Sequence, residues 1–144
     1  MTNIGKLGEQ VVAKWLEKQG WSILHHRWRC RWGEIDLIAQ EKCLKTIGFV
    51  EVKTRKQRNW DANGLLAITP QKQAKLWQTA EIFLSEYPDL ANFPCRFDVA
   101  LVSYKVGKQA SEELVNWCNI KIGEPISWEG YQFALINYIE SAFD

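Results

Sequence analysis

Asp36, Glu51 and Lys53 are spaced so that a single β-hairpin would bring them together. Gly33 to Ala39 and Thr46 to Lys53 read as two strands, with the polar stretch Gln40–Lys45 between them. A turn centred near Cys43 and Leu44 sets Asp36 opposite Glu51 and Ile38 opposite Phe49. Side chains alternate along a strand, so Glu34, Asp36 and Ile38 share a face with Glu51 and Lys53. Ile35, Leu37, Val50 and Val52 then point the other way, into a core. Two carboxylates directly opposite on adjacent strands repel each other. Lys53 supplies part of the compensation, and a divalent cation supplies more. Mg²⁺, or Mn²⁺ in its place, binds one or two carboxylates and leaves positions for waters and phosphate oxygens. The backbone carbonyl of Val52 is a further oxygen, and Glu9 can reach the ion directly or through water. Such an ion polarises a phosphodiester and acidifies a bound water. Lys53 beside it would orient that water or stabilise developing negative charge. A salt-bridged surface hairpin, with Lys53 pairing Glu51 or Asp36, accounts for the same spacing equally well.

These residues need elements to position them. Asn3 to Gln19 reads as a helix, with Asn3 as N-cap and Gly20 as the stop. Ile4, Leu7, Val11, Val12, Trp15 and Leu16 form its apolar stripe, and Glu9 lies on the flank of that stripe. Gly5 and Gly8 are poor helix formers, which points to a close neighbour or an irregular first turn. Trp21 to Arg29 reads as a strand. In an extended chain Arg27, Arg29 and Arg31 make a basic face alternating with Trp28, Cys30 and Trp32. A loop from Thr54 to Thr69 carries Arg55, Lys56, Arg58 and Trp60. Thr69 and Pro70 open a second helix that runs to about Tyr87. Arg96 to Tyr104 is a strand. Residues 105–118 are ambiguous, and Asn119–Ile122 and Tyr131–Ile139 read as short strands, the last also compatible with a helix. The order α-β-β-β-α-β predicts an α/β domain, a mixed sheet flanked by helices.

The chain has 144 residues, enough for one domain with a sizeable core. We expect a core over about 1–104 and a C-terminal extension over 105–144. No apolar run approaches the length of a membrane span, and the N-terminus lacks the layout of a secretory signal. A cytoplasmic, membrane-free location is the expectation. Cys30, Cys43, Cys95 and Cys118 are widely spaced and read as free thiols, which argues against zinc by pattern. The net charge of +1 conceals a basic half. Residues 1–80 hold 14 Lys and Arg against 7 Asp and Glu, whereas residues 81–144 hold 4 against 10. A basic half invites a polyanion. Arg27, Arg29, Arg31, Arg55, Lys56, Arg58 and Lys72 are the candidate phosphate contacts, with Gln71 and Lys75 beside Lys72 at a helix start. Trp28 or Trp32 can stack on bases, but burial in the core is the favoured reading for both. Arg96 and Asp98 share a strand face, and an ion pair is the simple account of them.

GEIDLIA at 33–39, FVEVKTR at 49–55, ITPQKQ at 68–73 and RFDVALV at 96–102 resemble the YraN-like bacterial family. The closing YIESAFD is similar to that family's end. The family in turn resembles a branch of the restriction-endonuclease-like, PD-(D/E)xK superfamily, and within it the archaeal Holliday-junction resolvases. The resemblance implies a restriction-endonuclease-like fold. It matches Asp36 to the superfamily's metal-binding Asp, Glu51 and Lys53 to the Glu-x-Lys pair, and Glu9 to the acidic residue of the first helix. Ile35 stands where the superfamily name has Pro, and Arg27 where related sequences usually have Asn. The implied function is metal-dependent endonuclease cleavage of DNA, branched or junction DNA included. Resolvase-like relatives act as dimers, which suggests a homodimer, although no dimer surface is legible. A binding module that does not cleave, or a scaffold docking through its acidic half, are the alternatives.

Overall fold

The computed structural model describes residues 3–56, 68–107 and 117–143. Arg58 and Trp60 lie outside these, as does the side chain of Cys118. Helix α1 spans Ile4–Lys18, and strands β1, β2 and β3 span Trp21–Cys30, Gly33–Glu41 and Ile47–Lys56. Helix α2 spans Pro70–Glu86, and strands β4, β5 and β6 span Cys95–Val106, Pro125–Trp128 and Tyr131–Phe143. Six strands form one sheet in the order β1-β2-β3-β4-β6-β5. Among the described strands only β3 and β4 run parallel, and α2 lies in the connection between them, because a parallel pair needs a crossover. This is the expected α/β order, compatible with a restriction-endonuclease-like core.

The two helices cover opposite faces. Val11, Val12 and Leu16 of α1 pack on Leu37, Ala39, Val50, Ala100 and Val102. Ala80 and Phe83 of α2 pack on Ile35, Ile38, Phe49 and Phe97. Both helices start as the sequence predicts. The Asn3 side chain accepts from the Lys6 N–H at 3.1 Å, and Thr69 accepts from the Lys72 N–H at 3.2 Å with Pro70 following. Gly8 is explained by a close neighbour, since a Cβ there would overlap the Thr54 hydroxyl on β3. Among the described residues, no helix is long and apolar enough to cross a membrane.

Three expectations need correction. Strand β3 runs on to Lys56, so Arg55 and Lys56 sit on a strand rather than in a loop. Asn119–Ile122 is not a strand; Trp117–Asn119 is a single 3₁₀ turn, and the strand is Pro125–Trp128. It pairs with β6 through Glu129 and Gly130, both at positive φ, 54° and 81°, as a two-residue hairpin turn requires. Tyr131–Phe143 is a strand, as first read and not the helix also compatible with it, and Phe133 and Leu135 on it join the α1-side core. Ile35 packs with Ile38 on the α2 side rather than with Leu37, so simple alternation does not hold across Asp36.

We expect Gly8→Ala to destabilise the fold by about 1–3 kcal/mol through overpacking against β3. This outweighs the gain in helix propensity of about 1 kcal/mol. Urea denaturation measures it, and Thr54→Ala in the same chain should recover part of the loss.

Candidate metal and nucleic-acid site

The β2–β3 register matches the spacing argument, with Leu37 opposite Val50, Ile38 opposite Phe49 and Ala39 opposite Gly48. The ladder stops at Leu37–Val50, one rung short of Asp36 and Glu51. Past that rung, Val52 has no cross-strand backbone acceptor on β2. Its N–H donates instead to Asp36 Oδ2 at 2.8 Å, which fixes the carboxylate between the parting strands. Lys53 Nζ lies 3.4 Å from Glu51 Oε1, both side chains largely buried. The lysine therefore pairs Glu51, one of the two partners the spacing allowed.

The same level of the sheet is irregular on the other side. The β1–β2 ladder passes from His26–Leu37 to Trp28–Ile35, stepping over Arg27 and Asp36. Arg27 has φ 50°, a left-handed conformation that costs about 1–3 kcal/mol for a residue with a side chain. That inversion turns Arg27 toward α1. There its Nε and Nη2 donate to the two Glu9 oxygens at 2.8 and 3.0 Å. Glu9 is 7% exposed, so the bidentate pair satisfies a nearly buried carboxylate.

Charge accumulates at the site. Burial, then the facing charge of Glu51, pushes Asp36 from its ordinary 3.8 up to about 8, against the lowering effect of the Val52 N–H. Burial also raises Glu51, while Lys53 pulls it down. Glu9 adds negative potential to both. Among the described residues no group of three or more His, Cys, Asp or Glu side chains is arranged to hold an ion. Two facing carboxylates that each resist ionisation still suit Mg²⁺ or Mn²⁺, which completes its shell with waters and phosphate oxygens.

Glu51 and Lys53 open into a cleft of about 210 Å³ under α2, lined also by Trp32, Glu34, Lys72 and Lys75. Gln71 is exposed outside that lining. The three arginines of β1 and its turn do not form one basic face. Arg27 turns to Glu9, Arg29 pairs Glu34 at 3.2 Å, and Arg31 lies over the Trp32 ring at 4.8 Å. Arg55 donates to the Thr54 carbonyl, and both Arg55 and Lys56 are exposed. Of the two tryptophans weighed for stacking, Trp28 packs edge-on against Phe83, whereas Trp32 is 48% exposed and is not core.

Asp98 lies outside this cluster. It is fully buried and pairs Arg96 at 3.1 Å, as the shared strand face suggested. It also accepts from the Tyr138 hydroxyl at 2.6 Å and the Ser141 N–H at 3.0 Å. Burial and the Asp98 charge push the Tyr138 hydroxyl far above its ordinary range. Both partners come from β6, some forty residues away, and no local pattern announces them.

The raised Asp36 has a stability consequence. An unfolded aspartate ionises near 3.8, whereas the folded one holds its proton to about 8. Between those values the folded state binds more protons, so metal-free stability falls as pH rises and levels off above about 8. Asp36→Asn removes that charge and keeps an acceptor for the Val52 N–H. We expect its melting temperature to match wild type near pH 4 and to exceed it increasingly toward pH 8. A constant difference across that range would contradict the account.

A family model described as uncharacterised protein family UPF0102 matches residues 8–102, a span that begins beside Glu9 and includes Asp36, Glu51 and Lys53. A UPF0102 protein of Acaryochloris marina is 48% identical over 153 residues, covering 97% of this chain and 89% of that protein. Relatives in Synechocystis, 47% identical with 99% of both chains covered, and Nostoc, 49% identical with 99% and 94% covered, have the same description. The YraN-like resemblance and these matches agree, and the chain belongs to uncharacterised protein family UPF0102.

Proposed function

We propose that this chain is a metal-dependent nuclease domain of the cytoplasm that hydrolyses phosphodiester bonds in DNA, with Mg²⁺ or Mn²⁺ held by Asp36 and Glu51. The observation that carries this reading is the buried pair of facing carboxylates with Lys53 beside them, open to a lysine-lined cleft. The bound ion would polarise the scissile phosphodiester and acidify a water. Asp36 is oriented for its ligand role by the Val52 N–H, and the Val52 carbonyl is a further candidate oxygen. Lys53 stands next to Glu51, where it can hold the attacking water or neutralise charge growing on the phosphate. Glu9, held by Arg27, contributes negative potential and a route to the ion through water. Lys72 and Lys75 at the cleft, with Arg29, Arg31, Arg55 and Lys56 on the surface, are the phosphate contacts. A junction substrate offers two symmetric cuts and would be served by a homodimer.

A binding module without turnover is the second reading. It is favoured by the engagement of both Glu9 oxygens by Arg27, which leaves two carboxylates rather than three for an ion.

Single-stranded, nicked and branched DNA incubated with Mg²⁺ or Mn²⁺ separates the two. The nuclease reading expects Asp36→Asn and Lys53→Ala to lower cleavage by about 10²-fold or more. It also expects Mg²⁺ to raise the melting temperature of wild type at pH 8 more than that of Asp36→Asn. Equal background from wild type and Asp36→Asn defeats cleavage, and salt-dependent binding without turnover then selects the module.

A further inference from the structure

Trp32 is set apart from the other described tryptophans. Trp15 stacks near Tyr138, Trp28 meets Phe83, Trp77 meets Phe97, Trp117 meets Trp128, and Trp21 is buried. Trp32 has no aromatic partner among the described residues and leaves 48% of its surface exposed. Folding gains less from an indole left half in water, and this one is free to meet a ligand in the cleft it lines.

Its position is fixed. Cys30 pairs with Gly33, so Arg31 and Trp32 form the two-residue turn between β1 and β2. Gly33 brings that turn against α2, since a Cβ there would lie 2.8 Å from the buried Thr79 hydroxyl. The Arg31 guanidinium covers one face of the indole at 4.8 Å. Trp32 lines the same cleft as Glu34, Glu51 and Lys53, with Lys72 and Lys75 on its α2 wall. At about 210 Å³ the cleft is smaller than the roughly 300–1,000 Å³ of drug-sized pockets, a size that suits one flat group. An apolar π-face in a cleft lined also by lysines suits a base joined to a phosphate backbone.

We propose that Trp32 is a stacking platform for an unpaired nucleobase. The nucleic acid taken by this site is then single-stranded, or locally unpaired where it crosses the cleft. This rests on the cleft being the nucleic-acid site proposed above. Arg31 backs the ring, and the lysines hold the flanking phosphates.

The test uses the full chain carrying Asp36→Asn, titrated by fluorescence anisotropy with a labelled single-stranded oligodeoxynucleotide and with the same sequence as a blunt duplex. Adding Trp32→Ala should weaken single-strand binding by about 10- to 100-fold, the loss of one base–aromatic stack. Duplex binding should stay unchanged, and Trp32→Phe should keep most of the single-strand affinity. Unchanged single-strand affinity in Trp32→Ala, or an equal loss for both probes, overturns the platform. The nuclease reading is judged separately by Asp36-dependent cleavage. Cleavage with no Trp32 effect sinks the platform alone, and a Trp32 effect without cleavage leaves the platform standing.

Discussion

The hydrogen bond from the Val52 N–H to Asp36 Oδ2 connects the arrangement of the sheet to that of the site. It forms because β2 and β3 stop pairing at Leu37 and Val50, which frees a backbone donor that a buried strand cannot leave unpaired. A carboxylate fills the vacancy and is thereby held among other acids. The opposing effects on Asp36 follow from that position. Burial and Glu51 disfavour its charge, and the N–H favours it, with the first two prevailing. The cost to stability comes from the geometry that sets two carboxylates beside each other.

Neighbouring charges sort themselves around that constraint. Arg27 takes a left-handed backbone conformation and reaches Glu9 on α1. A bidentate bond to a nearly buried carboxylate offsets the cost of the conformation. One acid of the cluster is thus paired by an arginine on the α1 side of the sheet. Asp36 and Glu51 face each other with Lys53 as the nearest cation. Gly8, pressed against Thr54, brings α1 close enough to β3 for this to happen.

The other end of the sheet is held by a different buried acid. Asp98 collects Arg96, the Tyr138 hydroxyl and the Ser141 N–H, tying β4 to the final strand. Its oxygens are satisfied by the protein itself, whereas those of Asp36 meet another carboxylate. The two aspartates therefore have opposite surroundings, Asp98 fully buried among donors and Asp36 half-buried beside another acid. The difference lies in the partners and not in the residue type.

Local information was enough for the helices, for the hairpin register and for the set of Asp36, Glu51 and Lys53. Capping residues, the 3.6-residue stripe of α1 and a short turn act over a few positions, so they are written in neighbouring letters. The β5–β6 hairpin escaped because its turn uses Glu129 at positive φ, a weak signal, and because Asn119–Ile122 offered a competing apolar run. Trp32 read as core because an isolated aromatic says nothing about what packs on it. The sequence by itself determined which acids and which lysine could meet. The tertiary structure alone decided that the ladder ends one rung early, that Arg27 turns to Glu9 and that Trp32 lines the cleft. Those outcomes depend on where separate elements stop pairing and which face a helix covers, and contacts between distant segments fix both.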